Sequence, residues 1–193
     1  MRRAHVIFAH PVPESLNAAA HDVVVQTLIA QGWDVDDCDL NAEGFDPVMT
    51  VEERRNYHNL AINTAPVQSY VDRLRAADAV IFCFPVWNFG YPAILKGWFD
   101  RVMLPGVSFT MADGHLTPCL ENVKKIAAVT TYGSTPWRAF LAGDPPKKLL
   151  TRVVWGTVRP EKIRYIAQYG MNTITRHGCE AFLSRVKSEM EAF

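Results

Sequence analysis

Val80-Ile81-Phe82-Cys83-Phe84 is an unbroken apolar run, followed within a few residues by a proline-led apolar segment from Pro92 to Val102. A run of this length, rich in β-branched and aromatic residues, is the pattern of a strand covered on both faces inside a parallel sheet. Pro85 has no N–H for a sheet ladder, so the strand is predicted to end there. Gly90-Tyr91-Pro92 then starts a helix, with Pro92 in the first turn where its missing donor does no harm. That helix carries Ile94, Leu95, Trp98, Phe99, Val102 and Met103 on a broad apolar face, and its Trp98-Phe99 pair is heavy enough to suggest a subunit contact as well as core. The intervening loop holds Trp87 and Phe89 at the carboxyl end of a strand, where open α/β sheets bind ligands. Two large rings there would be exposed unless something planar covered them.

Other segments supply the rest of such a sheet. Ala4 to Ala9 reads as a buried first strand, and the loop from His10 to Ser15 leads into a helix whose Ala19, Val23, Leu28 and Ile29 can share a face. Ser15 or Asn17 can cap that helix, and a strand, a polar loop and a capped helix together form an anion site as readily as a plain cap. Gly32 closes the helix, and Trp33 to Leu40 alternates as a half-exposed strand with a slip at Asp37. A long connection from Asn41 to Asn63 follows, with a turn at Gly44-Phe45-Asp46-Pro47, a short helix over Val51 to Leu60, and His58 as a surface residue.

Pro66 to Ala77 has the helical spacing of Val67, Tyr70, Val71 and Leu74, and Pro105 to Leu120 reads as loop, with Phe109 and Met111 exposed. Lys124 to Thr131 is another buried strand, ending in Thr130-Thr131-Tyr132-Gly133-Ser134, where hydroxyls and a glycine offer donors and close backbone approach. Two helical pieces broken by Gly143-Asp144-Pro145-Pro146 precede a last strand, Ile163 to Tyr169. The final helix, Asn172 to Ala192, carries Phe182, Val186 and Met190 on one face, with His177 and Cys179 as packing and surface residues. Five strands alternating with helices give an α/β, doubly wound parallel sheet with helices on both faces, strand order 2-1-3-4-5 and the switch point between strands one and three. The loops after Ala9, Phe84 and Thr131 then meet at one edge.

Composition narrows the function classes. At 193 residues the chain suits a single domain over 1–193, and equal counts of 20 basic and 20 acidic residues leave no global field for nucleic acid. Cys38, Cys83, Cys119 and Cys179 form no C-x-x-C pair, which predicts reduced thiols in a cytoplasmic setting and no metal site. No segment is long enough to span a bilayer, so the protein is not expected to be membrane-embedded. A G-x-G-x-x-G fingerprint, a Walker lysine and a G-x-S-x-G elbow are all absent. A phosphate-capable first loop beside an aromatic loop and a Thr/Gly loop suits a flavin.

The segment from Phe84 to Val102 resembles the signature of the flavodoxin-like NAD(P)H:quinone reductases, the DT-diaphorase group and its bacterial relatives. His10, Ser15 and Asn17 match that family's H-x-x-x-x-S-x-N loop, and Thr130-Thr131 with Gly133 its T-T-x-G loop. The resemblance implies a flavodoxin-like fold and a non-covalent FAD or FMN. It also implies NADH or NADPH as donor, and two-electron ping-pong reduction of quinones or similar planar acceptors. His10, Ser15, Leu16 and Asn17 would bind the phosphate side of the cofactor, Pro85, Val86, Trp87, Asn88 and Phe89 its ring, and Thr130, Thr131, Tyr132 and Gly133 its polar edge. Family members are usually homodimers with the site at the interface, which would give Trp98-Phe99 a role and Phe109 contact with substrate. The likeness also keeps open a regulatory flavoprotein bound to a membrane transporter and a flavodoxin-like electron shuttle. Mammalian members have Gly-Gly after the threonines, a polar residue at the place of Trp87, and a downstream Tyr/His pair assisting hydride transfer. Here Tyr132-Gly133 follows and no His occurs from Leu116 to Arg176, so proton delivery must differ. Tyr132 is the candidate catalytic residue, as a hydrogen-bond donor to the reduced flavin, with simple packing as the alternative.

Overall fold

The computed structural model describes residues 1–193, the side chain of Ala112 apart. Five parallel strands, β1 (Arg3–Phe8), β2 (Asp34–Asp39), β3 (Ala79–Val86), β6 (Lys125–Tyr132) and β7 (Lys162–Gln168), form one sheet in the order β2-β1-β3-β6-β7. This is the expected 2-1-3-4-5 pattern of a doubly wound α/β fold, once the small hairpin of β4 (Phe109–Ala112) and β5 (His115–Pro118) is set aside. That hairpin replaces the loop expected from Pro105 to Leu120. Asp113 and Gly114, at φ 51° and 78°, make its tight turn, so the Asp-Gly pair joins two strands and does not break a loop.

Alternation along the strands separates two cores. Val80, Phe82, Phe84 and Val86 of β3 join Ile126 and Ala128 of β6 on one face, beneath α3 (Gln68–Arg75) and α4 (Ala93–Val102). Ala79, Ile81 and Cys83 join Val6, Phe8, Ala127 and Val129 on the other, beneath α1 (Leu16–Ala30) and α8 (Arg176–Glu191). Both faces of β3 are therefore buried throughout, as its apolar run requires.

Several expectations are corrected. Pro85 does not end β3: the strand runs on through Val86, with Pro85 opposite Thr131 and Val86 opposite Tyr132. The Cys83 carbonyl accepts the Ala9 N–H at 3.0 Å, so odd-numbered β3 residues turn their backbone polar groups toward β1. Two residues on, Pro85 faces the space beyond the end of β1, where its missing N–H costs no ladder bond. Pro92 is the residue before α4, not its first turn. Trp98 and Phe99 are buried within the chain, Trp98 packing edge-on to Phe82 at 5.8 Å, so neither offers surface to a second subunit. In α1 the buried stripe is Asn17, Ala20, Val24 and Leu28, while Ile29 is exposed. Apolar residues surround much of this helix, and hydropathy alone did not single out the inward face. The helix after Thr50 is the short α2 (Val51–Asn56), and the last helix begins at Arg176, with Thr175 as its N-cap.

β2 is an edge strand, and its carboxylates are tied back. Arg73 of α3 donates through Nε to both Asp36 oxygens at 3.0 and 3.1 Å and through Nη1 to Glu43 at 2.8 Å. Burial pushes the Asp36 carboxyl up, but His5 and Arg73 outweigh it and hold the group well below the usual carboxylate range. The charged edge also discourages pairing with another strand.

Among the described residues no helix is long and apolar enough to cross a membrane, no His, Cys, Asp or Glu cluster could hold a metal ion, and all four cysteines are free. Gly97 lets α4 lie directly against the connection after β2: a methyl group there would overlap the Pro47 carbonyl oxygen and Cα. Gly97→Ala is expected to destabilise the fold by about 1–3 kcal/mol, read as a lower urea midpoint in equilibrium unfolding.

Candidate functional site

The site forms where β1 stops and its neighbours continue. β1 ends at Phe8, the chain turns away at His10-Pro11, and β3 and β6 remain paired as far as Val86 and Tyr132. The resulting notch is bordered by the start of α1, the turn after β3 and the turn after β6.

At the first border, Ser15 is the N-cap of α1, its Oγ accepting the Ala18 N–H at 3.1 Å. The cap leaves the Leu16 and Asn17 N–H groups without an intrahelical acceptor, at the positive end of a helix 15 residues long. Asn17 is not the cap. It is 1% exposed, and neither its Oδ1 nor its Nδ2 finds a partner within the chain. His10 accepts the Val12 N–H on Nδ1 at 3.0 Å, which leaves the ring proton of the neutral form on Nε2 as a donor. Burial lowers its pKa from the ordinary imidazole value, favouring that neutral form.

At the second border, Trp87 and Gly90 exchange backbone hydrogen bonds of 3.2 and 2.9 Å around Asn88 and Phe89. Both central residues have positive φ, 48° and 58°, the geometry of a type I′ turn. Asn adopts it readily, whereas a bulky Phe is an outlier. Trp87 is 48% exposed and meets His10 edge-on at 5.7 Å, joining the first border to the second.

At the third border, Thr130, Thr131 and Tyr132 lie within β6 and not in the loop beyond it, all three buried. The Thr130 hydroxyl has no partner within the chain, nor has that of Ser134. A Cβ on Gly133 would meet only Asn172, at ordinary contact distance, so packing within the chain does not demand a glycine there. The Tyr132 hydroxyl donates to Asp144 at 2.7 Å and hydrogen-bonds the Tyr165 hydroxyl, and its ring stacks on Tyr169 at 4.6 Å. Burial first, with the Asp144 carboxylate adding to it, pushes Tyr132 far above the ordinary phenol range, so the group stays protonated.

A family described as having a flavodoxin-like fold matches residues 2–188. The chain belongs to that family.

Among its relatives, rat NAD(P)H dehydrogenase [quinone] 1 is 34% identical over 150 residues, covering 69% of this chain and 55% of that protein. An uncharacterized NAD(P)H oxidoreductase, YcaK, of Escherichia coli is 29% identical over 154 residues, covering 79% of this chain and 70% of that one. The chain thus spans little more than half the length of the rat relative. The crystal structure of Smu.1420 from Streptococcus mutans superposes with a TM-score of 0.89 at 26% identity, covering 99% of this chain and 100% of that one.

Within this flavodoxin-like chain the structure brings His10, Ser15, Leu16 and Asn17 to one side of the notch. Pro85, Val86, Trp87, Asn88 and Phe89 lie along its middle, and Thr130, Thr131, Tyr132 and Gly133 on the far side. Phe109 is not brought to it: it opens the β4–β5 hairpin, and no hydrogen bond or ring contact among the described residues links its side chain to the notch. Sequence reasoning placed Ser134 in the loop after β6 without a role, and missed the Asp144, Tyr165 and Tyr169 side chains that surround Tyr132. The residues bracket two helical breaks and a strand of mixed polarity, and only the third dimension makes them neighbours. Phe89→Gly relieves the left-handed strain of the turn. The flavodoxin-like chain should gain about 0.5–1 kcal/mol in urea unfolding, and a loss would show that ring packing outweighs backbone strain.

Proposed function

We propose that this protein is a flavin-dependent NAD(P)H oxidoreductase that reduces quinones or similar planar acceptors two electrons at a time. The observation that carries this reading is the pair of buried polar atoms left unpaired at the start of α1, the Oδ1 and Nδ2 of Asn17. Buried groups of this kind ordinarily have partners, and a polar ligand seated at the head of α1 would supply them. The rat relative's name, NAD(P)H dehydrogenase [quinone] 1, points the same way.

The residues fit FAD or FMN. The Leu16 and Asn17 N–H groups, the Ser15 hydroxyl proton and the Nε2–H of His10 would receive the phosphate side, favoured by the positive end of α1. Pro85, Val86, Trp87, Asn88 and Phe89 would hold the ring plane, with the strained Phe89 presenting its side chain toward it. Thr130, Thr131 and Gly133 would face the ring's polar edge. When bound, the flavin supplies the hydride acceptor and donor. The chain's part is to exclude water from the notch, fix the ring and leave one of its faces open beside Trp87. Tyr132 braces the end of β6, its hydroxyl proton held by Asp144. A second copy of the chain would complete the open side, which is where Phe109 would reach a substrate.

Purified protein should be yellow and should be bleached by NADH or NADPH without oxygen; colourless protein that takes up neither FAD nor FMN overturns the proposal. Asn17→Ala should weaken flavin binding about tenfold, measured by fluorescence titration, because hydrogen bonds to a ligand are lost. In the flavin-free protein the same substitution should leave stability unchanged or slightly higher, since it deletes an amide that has no partner there.

A further inference from the structure

Beyond the Tyr132–Tyr169 stack lies a second groove, between α5 (Pro136–Leu141) and the helical stretch of α6 (Pro145–Lys148) and the π-helical turn after it (Leu149–Val154). Its volume is about 360 Å³, and Phe140, Lys147, Lys148, Thr151, Arg152 and Tyr169 line it. None of the three cations is in an ion pair among the described residues. Asp144 is the one acid on its wall, and its Oδ1 accepts the Tyr132 hydroxyl. Lys148 and Arg152 stand four residues apart, a spacing at which like charges on a helical stretch repel and reduce its stability. The chain as a whole has no net charge, so this concentration is local.

The rings are as exposed as the cations. Phe140 is 69% and Trp137 64% exposed, and the two stack at 5.6 Å with planes 21° apart, so Phe140 presents a backed face at the groove's rim. Tyr169 forms the opposite wall and is itself stacked on Tyr132, the last residue of β6. An exposed ring beside three unpaired cations suits a planar base carrying phosphate, since rings stack on rings and lysine and arginine bind phosphate.

We propose that this groove binds the adenosine 2′-phosphate end of the nicotinamide donor and makes the protein prefer NADPH to NADH. The inference rests on the oxidoreductase reading for the identity of the donor. A planar acceptor must enter the notch itself to meet the flavin, whereas a dinucleotide reaches the notch with its nicotinamide and leaves its adenosine end outside. The groove's Tyr169 wall stacks on Tyr132, the last residue of β6, so the groove lies next to the notch and outside it. The 2′-phosphate is the group that distinguishes the two donors, and Lys147, Lys148 and Arg152 are the cations placed to read it.

The test is calorimetric titration of the purified protein with 2′,5′-ADP and with 5′-AMP, which lacks the 2′-phosphate. The wild type should bind 2′,5′-ADP about tenfold or more tightly than 5′-AMP, and a Lys147→Gln, Lys148→Gln, Arg152→Gln variant should lose that difference. In steady-state assays the same variant should lose about tenfold in its ratio of kcat/KM for NADPH over NADH. Equal binding of the two probes, or a difference that survives the substitutions, overturns the proposal. So does a variant that keeps its 2′,5′-ADP affinity but loses that for anthraquinone-2-sulfonate, which would make the groove an acceptor site. Reduction by NADH and NADPH with equal efficiency and no discrimination between probes removes the groove and leaves the oxidoreductase reading intact. Discrimination between probes in a protein that neither donor reduces supports the groove and removes the oxidoreductase reading.

Discussion

The unequal lengths of adjacent parallel strands control this structure. β1 gives its last ladder bond from Ala9 to Cys83, while β3 and β6 continue side by side to Val86 and Tyr132. A sheet whose strands all ended together would present a flat edge. Here β3 projects beyond β1 on one flank and stays paired to β6 on the other, and the difference is a notch. Proline makes the projection possible, because Pro85 lacks a donor on the flank that has no partner and keeps its place opposite Thr131 on the flank that does. The type I′ turn at Asn88-Phe89 then returns the chain toward α4, leaving Trp87 beside His10.

Unpaired polar atoms occur at both edges of the same sheet. At the amino edge the chain ends are tied by side chains, the Asp78 carboxylate accepting the Arg3 N–H at 2.7 Å and the Asn122 amide donating to the Ala77 carbonyl at 2.7 Å, while Arg3 Nε and His5 Nε2 are buried without a hydrogen bond. At the carboxyl edge, Asn17 and Thr130 are buried with unpaired polar atoms, and Phe89 occupies a backbone region that disfavours it. Stability alone would select against each of these features. The unpaired Asn17 amide and the strained Phe89 both lie at the carboxyl edge of the sheet.

How far the sequence could be read follows from the range of the forces involved. The apolar run of β3 and the β-strand order were legible because burial on both faces and right-handed crossovers leave few alternatives. The loops carrying His10, Ser15, Asn17 and Trp87 were legible because caps, prolines and motif spacing are local. What was misread needed the neighbour across the ladder. Pro85 breaks a strand only where its N–H is wanted, and that depends on the length of β1. Trp98-Phe99 looked like surplus apolar surface until Phe82 and Tyr91 were placed against it. Asp113-Gly114 carried a hairpin signal, but the strands it joins are only four residues long, and none of their described side chains is buried.

The Tyr132–Asp144 hydrogen bond connects the two polar regions of the carboxyl edge. Asp144 holds a left-handed backbone conformation, φ 45°, directly before the prolines that start α6, and from there it reaches back to the end of β6. The carboxylate could instead have paired with a lysine of its own helix, and an exposed pair of that kind would have contributed little. By binding the buried phenol it anchors the segment after α5 to the sheet and leaves Lys147, Lys148 and Arg152 without a counterion from the chain. A single contact thus closes the back of the notch and keeps the neighbouring groove cationic, so removing it would loosen one site and alter the charge of the other. The two are separated by one aromatic stack, Tyr132 on Tyr169.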